Sequence, residues 1–227
     1  MRILSAITLL LLLPFAASAE IVEREVVASA DDAHAYGSAG LLTTFGYPRF
    51  GQNSMLEPYA SAVRFVDLPV DSGAVIDSAF IEFRAYSTWS TDSIVYLVVA
   101  EDTCNAAAFT DRADYNLRLA NLTDSSSPQV LFGTSAGNWY RTSDLAAAIQ
   151  ALVNRPDWDR DSSDIALFLI PTGDSPANIW LEMYHFDGDS ASAHRLYIYL
   201  DSGGSSATPV RRRKMLTQPS NTGGNKR

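Results

Sequence analysis

The sequence predicts an all-β domain, a sandwich or a barrel, interrupted by one short α-helix. Three observations carry this. Apolar and polar residues alternate with period two through several short segments, as strands with one buried face require. Clusters of Gly, Pro, Asp and Ser such as DLPVDSGA and PTGDSPAN separate those segments, which is turn chemistry. A single segment carries apolar residues at helical spacing instead.

The elements follow in chain order. SAVRFVDLPV places Val63 and Phe65 on one side of a strand, with Arg64 and Val66 opposite. In AVIDSAFIEFRAYS, Phe80, Glu82 and Arg84 alternate with Ile81, Phe83 and Ala85. SIVYLVVAED is more continuously apolar, as expected of a strand covered on both faces. RTSDLAAAIQALVNRPDW breaks the alternation with Leu145, Ile149, Leu152 and Val153 at helical spacing. Ser143 or Asp144 can cap that helix, and Pro156 follows its last turn, so a helix of about three turns is predicted. DIALFLIPTG and HRLYIYLDS complete the strands.

The ends differ from this body. Met1-Arg2, an apolar run over 3–15 and Ala17-Ser18-Ala19 have the order of a secretory signal peptide, too short for a comfortable membrane span. Cleavage is expected to leave Glu20 as the first residue of an exported domain over 20–201. Residues 202–227 form a polar, basic, Gly/Ser/Pro-rich tail that cannot build a core. No other stretch is long and apolar enough to span a bilayer.

Charge follows the same division. Of 17 basic residues, Arg2 lies in the leader and six follow Pro209, whereas all 26 acidic residues lie between, so the body carries a net charge of −16. Such a body repels nucleic acid and anionic membranes and suits divalent cations. Cys104 is the only cysteine, which excludes an intrachain disulfide; a buried thiol is expected, with an interchain link as the alternative. Asn121-Leu122-Thr123 is a glycosylation sequon, meaningful only in a eukaryotic secretory pathway.

The order of ASADDAHAYGSAG, SAVRFVDLPVDSGAVIDSAFIEF, AEDTCNAAAF, RTSDLAAAIQALVNRPDW, DIALFLIPTG and FDGDSASAHRLYIYL resembles the DNRLRE and disaggregatase-related domains of exported proteins. The resemblance covers roughly 26–200, and its most specific part is the helix leading into IALFLI. It implies a jelly-roll β-sandwich akin to carbohydrate-binding modules, with polysaccharide and calcium as expected ligands. GNWYRTSDL is more aromatic than that pattern.

Candidate site residues come from three inventories. Asp31, Asp32, Asp187 and Asp189 lie in acidic turns at strand ends; calcium takes six to eight oxygens, and such turns supply carboxylates and carbonyls. DWDRDSSDIALF lacks the Gly and Glu of an EF-hand loop and reads as a solvated acidic loop. Tyr86, Trp89, Trp139, Tyr140, Trp180 and Tyr184 are rings that could stack on the C–H faces of sugars, although a sandwich core also buries aromatics. Catalytic signals are weak: no nucleophile elbow, zincin motif or phosphate loop is present, and no pair of carboxylates stands out as a glycosidase needs. His185 or His194 near Tyr184 and Arg195 is the one cluster a lyase could use, but loop histidines ahead of a strand are expected to be exposed.

Together these point to a secreted, non-catalytic module binding an extracellular polysaccharide or glycoprotein, with calcium as a structural ion. The alternatives are a self-associating component of a surface, matrix or appendage, and a small polysaccharide lyase or hydrolase.

Overall fold

The computed structural model describes residues 20–37 and 40–201; the leader over 1–19 and the tail over 202–227 lie outside them. The described residues form strands β1 (Glu20–Glu25), β2 (Asp32–Tyr36), β3 (Gly40–Leu42), β4 (Arg49–Gln52), β5 (Pro58–Phe65) and β6 (Ile76–Arg84). β7 (Trp89–Glu101), β8 (Leu122–Thr134), β9 (Trp139–Arg141), β10 (Ile165–Pro171), β11 (Ile179–Glu182) and β12 (Arg195–Leu200) follow. Helix α1 (Arg112–Leu119) joins β7 to β8, and α2 (Ala146–Val153) joins β9 to β10.

The strands make two antiparallel sheets. The smaller runs β1-β12-β6-β9, the larger β11-β4-β5-β10-β7-β8, with β2 also paired to β5 and β3 to β2. Numbering β1, β5, β6, β7, β8, β9, β10 and β12 as the principal strands, the small sheet runs first-last-third-sixth. The larger one then runs second-seventh-fourth-fifth. That wrapping is a jelly roll, which is the predicted fold.

The helices differ from expectation. Two form among the described residues, not one. α1 escaped the sequence because its residues are mostly polar and only Tyr115 and Arg118 are buried. Its start is nevertheless encoded: the Asp111 carboxylate accepts from the backbone N–H groups of Ala113 (2.8 Å) and Asp114 (3.0 Å), an N-cap. α2 begins one or two residues later than predicted and, at eight residues, is shorter than three turns. Asp144 Oδ1 still holds its first turn, accepting from Ala146 N and from Ala79 N of β6, each at 2.9 Å.

Alternation decides what each strand buries. Val63, Phe65, Ile81, Phe83, Leu167 and Ile198 are fully enclosed between the sheets, and each Phe there contributes roughly 2–3 kcal/mol through burial. The other parity of the large sheet is covered too. Ala33, Ala35, Ala60, Ala62 and Ala166 form a shallow surface on which Phe109, Tyr115 and Phe168 interlock. This second layer explains the unbroken apolar runs of β7 and β10. Cys104 is buried as a free thiol, and Asn121 is exposed at the turn between α1 and β8.

All ten cations of the body are arginines; lysine first occurs at Lys214. Arg64 ties together segments far apart in the chain. From β5 it donates to Asp31 (2.6 Å), to Asp164 (2.5 Å) and to the Ala106 carbonyl (2.7 Å). One side chain thus joins β5, the 3-10 turn before β2, the segment after β7 and the entry to β10. Asp164 uses its other oxygen to accept from Asp67 N (2.9 Å).

Removing the guanidinium leaves two poorly solvated carboxylates facing each other. Arg64→Ala is expected to lower unfolding free energy by about 3–5 kcal/mol, measured from urea midpoints. Arg64→Lys should recover only part of that loss, because a single ammonium lacks the planar fork that reaches both acids.

Candidate functional site

Two groups of side chains meet where β2, β4, β5 and β11 come together. The first is a strip of aromatic rings. Tyr47 stacks on Tyr86 with centroids 3.9 Å apart, and Tyr184 stands edge-on to both at 5.4 Å. Next along the paired strands, Arg49 lies opposite Glu182, with Nε 3.7 Å from the carboxylate. The Arg49 guanidinium covers Trp180 at 4.7 Å. Trp180 meets Tyr59 edge-on at 6.1 Å, and Tyr59 meets Tyr36 at 4.8 Å. Tyr86 and Tyr36, at the two ends, are 42% and 41% exposed.

Local backbone explains how the strip is held. Gly51, opposite Trp180, has φ +135°, and a Cβ there would lie 2.1 Å from the Ile179 carbonyl. Only glycine lets β4 and β11 pair so closely. Gly46 and Gly188 press backbone to backbone, a Cβ on Gly46 falling 2.5 Å from the Gly188 Cα. That contact sets Tyr47 beside the 184–188 loop, where its hydroxyl donates to the Gly188 carbonyl (3.3 Å).

The predicted aromatics divide. Tyr86, Trp180 and Tyr184 belong to the strip. Trp139 does not: it lies on β9 under the Arg195 guanidinium, 4.5 Å from its centroid. Tyr140 turns the other way, stacks on Phe83 and packs against the core. Pairing explains this, since Tyr140 sits opposite inward-facing Phe83. Trp89 opens β7, and its side chain lies outside the described residues. Tyr36, Tyr47, Arg49 and Tyr59 were missed because their segments show no sustained alternation.

The second group lies directly behind the strip and is polar. Asp32, His34, His185 and His194 are all 0–2% exposed. The expectation of exposed histidines is therefore wrong. The Ser190–Ser192 3-10 turn folds the loop back, and the His194 carbonyl accepts from Val26 N (3.1 Å), which draws the ring between the sheets. Asp32 Oδ2 accepts from Phe186 N (2.8 Å), while Oδ1 lies 3.7 Å from His185 Nδ1 and has no hydrogen-bond partner. His185 Nε2 meets Ser61 Oγ at 3.2 Å. Neither nitrogen of His194 has a partner, nor does Nδ1 of His34.

Burial disfavours every charge here. Burial above all, helped by the Asp187 and Asp31 carboxylates and opposed by the Phe186 N–H, pushes Asp32 up to about 7. Burial brings His194 down to about 4 and His34 to about 4, and holds His185 well below the usual imidazole range. Asp32 and His185 are consequently no ion pair at neutral pH despite their separation.

The four aspartates expected to share calcium have separate engagements. Asp31 pairs with Arg64, so adjacent Asp31 and Asp32 turn to opposite faces of the sheet. Asp187 accepts from the Ser29 hydroxyl (2.8 Å). Asp189 caps the 3-10 turn, accepting from Ala191 N and from the Ser192 hydroxyl. Among the described residues, the side chains whose donor atoms come within reach of one ion are Asp32, His185 and His194, all within 4.8 Å of one another. No described helix is long and apolar enough to cross a membrane. No protein-family model matches the sequence, and no curated protein matches it significantly.

The shifts fix a pH dependence in chelator-treated protein. Below about 6.5 the unfolded chain protonates imidazoles that the folded chain keeps neutral. The histidine contribution is therefore full above 6.5 and is lost as pH falls towards about 4. Asp32 acts oppositely: its contribution is full below 3.8 and is lost as pH rises through about 7. Three groups outweigh one, so moving from pH 7 to pH 5 should lower stability by on the order of 2 kcal/mol. A urea midpoint that holds or rises at pH 5 would contradict this.

Proposed function

We propose that the chain is an exported, non-catalytic module that binds an extracellular polysaccharide along the strip from Tyr86 to Tyr36. The observation that carries this is the order of the strip: rings at both ends and an Arg49–Glu182 pair between them. Sugar rings present apolar C–H faces to aromatics and hydroxyls to charged groups, so a run of residues in this order matches an extended glycan. The signal-like leader and the acidic, lysine-free body fit an extracellular setting and a neutral or cationic glycan, because anionic chains would be repelled.

Affinity electrophoresis against neutral, cationic and anionic polysaccharides tests this. One neutral or cationic glycan should retard the protein. Tyr86→Ala and Trp180→Ala should each weaken retardation about five- to tenfold, on the order of 1 kcal/mol per stacking ring. Trp139→Ala should leave it unchanged. Equal retardation of all four proteins would sink the assignment.

A second reading, self-association, has one observation in its favour. Among the described residues β8 pairs only with β7, and it presents Val130 at 51% and Phe132 at 73% exposure along the rim of the large sheet. Open, apolar rims template pairing between chains. Under this reading light scattering shows concentration-dependent growth that Phe132→Asp abolishes, and a wild type that stays monomeric excludes it.

A further inference from the structure

The group behind the strip has a chemistry that glycan binding does not use. We propose that Asp32, His185 and His194 form a structural centre for one divalent transition-metal ion of the zinc class, joining the two sheets at their edge.

Hydrogen bonds fix the donor atoms. With the Ser61 hydroxyl donating to the Ala33 carbonyl (3.3 Å), its Oγ accepts from His185 Nε2 at 3.2 Å. Nε2 then carries the ring proton, and the lone pair of Nδ1 faces Asp32 Oδ1 at 3.7 Å. Two lone pairs facing each other in a dry site need a proton or a metal cation between them, and 3.7 Å is too long for a shared proton. The spacing is also what one ion requires, because donors bound at about 2.0–2.1 Å sit roughly 3–4 Å apart around it. Phe186 N holds the other oxygen of Asp32. Asp32 and His185 thus each have an orienting partner on the atom turned away, the arrangement that steadies metal ligands.

His194 supplies an independent observation. It is 0% exposed, and neither ring nitrogen has a partner. An imidazole without any hydrogen bond in a core is costly, and coordination removes that cost. The donor set is two nitrogens and one oxygen, whereas calcium takes six to eight oxygens, so the site selects zinc-class ions over calcium. Enclosure argues for a clamp and not a reaction centre. Asp32 comes from β2 of the large sheet, His185 from the loop after β11, and His194 from the residue before β12 of the small sheet. This site stands independently of the glycan assignment.

The test uses the full chain, stripped with chelator and loaded separately with zinc, cobalt(II) or calcium. Wild type should retain close to one equivalent of zinc through gel filtration by elemental analysis. Cobalt should give visible d–d absorption, and zinc should raise the melting temperature where equimolar calcium does not. His194→Gln and Asp32→Asn should each lose at least nine-tenths of the bound zinc, while Asp71→Asn, at an exposed carboxylate paired with Arg160, keeps it. If either variant loses its β-sheet circular dichroism, wild-type zinc stoichiometry and the cobalt spectrum decide alone. Wild type that retains no zinc, or a folded His194→Gln that retains as much as wild type, overturns the proposal. So does calcium retained in place of zinc.

Discussion

The Arg64 guanidinium holds the strand order together. Three of its donors are used on three segments that the chain supplies far apart, through Asp31, Ala106 and Asp164. Its side chain is mostly enclosed, so these bonds act in a medium where charges are poorly screened and a missing partner is expensive. The interior consequence is as important as the pairing. By drawing Asp31 to the outer face of the large sheet, Arg64 obliges the next residue, Asp32, to enter between the sheets beside His185 and His194. A tie on one face thereby sets a polar group on the other.

The same logic runs through the rest of the body. Arginine does what a point charge cannot: it spans two acceptors and lies flat on rings. Arg118 illustrates it on the second apolar layer, donating to Glu101 at 2.9 and 2.6 Å while covering Phe109 at 4.1 Å. Arg141 repeats the pattern on the small sheet with Glu82 and Phe80. Cations spent in this way neutralise particular acids, and the remaining surface stays strongly negative. On the aromatic strip, Arg49 covers Trp180 and Arg84 lies over Tyr184.

Strands β5, β6, β7, β10 and β12 were legible because each has a face whose burial imposes alternation on neighbouring residues. α1 was not, since its one large apolar anchor, Tyr115, leaves no repeat to detect, and its cap at Asp111 resembles many turn aspartates. The jelly-roll wrapping came from resemblance, not periodicity, because alternation says that a strand has two faces and nothing about its neighbours. The site was half legible. Tyr86, Trp180 and Tyr184 stand out as large rings near strand ends. Tyr47 and Tyr59 meet Tyr184 and Trp180 across more than a hundred residues of chain, and Tyr36 joins them through the pairing of β2 with β5. Histidine burial was illegible for the same reason: a loop such as HFDGDSASAH reads as solvated until a distant strand and a 3-10 turn enclose it.

The contact between Gly46 and Gly188 has a consequence for how such a chain can change over time. Surface loops normally lengthen and shorten freely. Here two of them touch through bare backbone, with no side chain between them to yield. A residue inserted into either loop would displace the other, so indels on the two sides should be accepted only in matched pairs. The 43–48 and 184–192 segments should therefore behave as a single heritable unit, retaining both glycines and a fixed combined length while β-turns elsewhere drift.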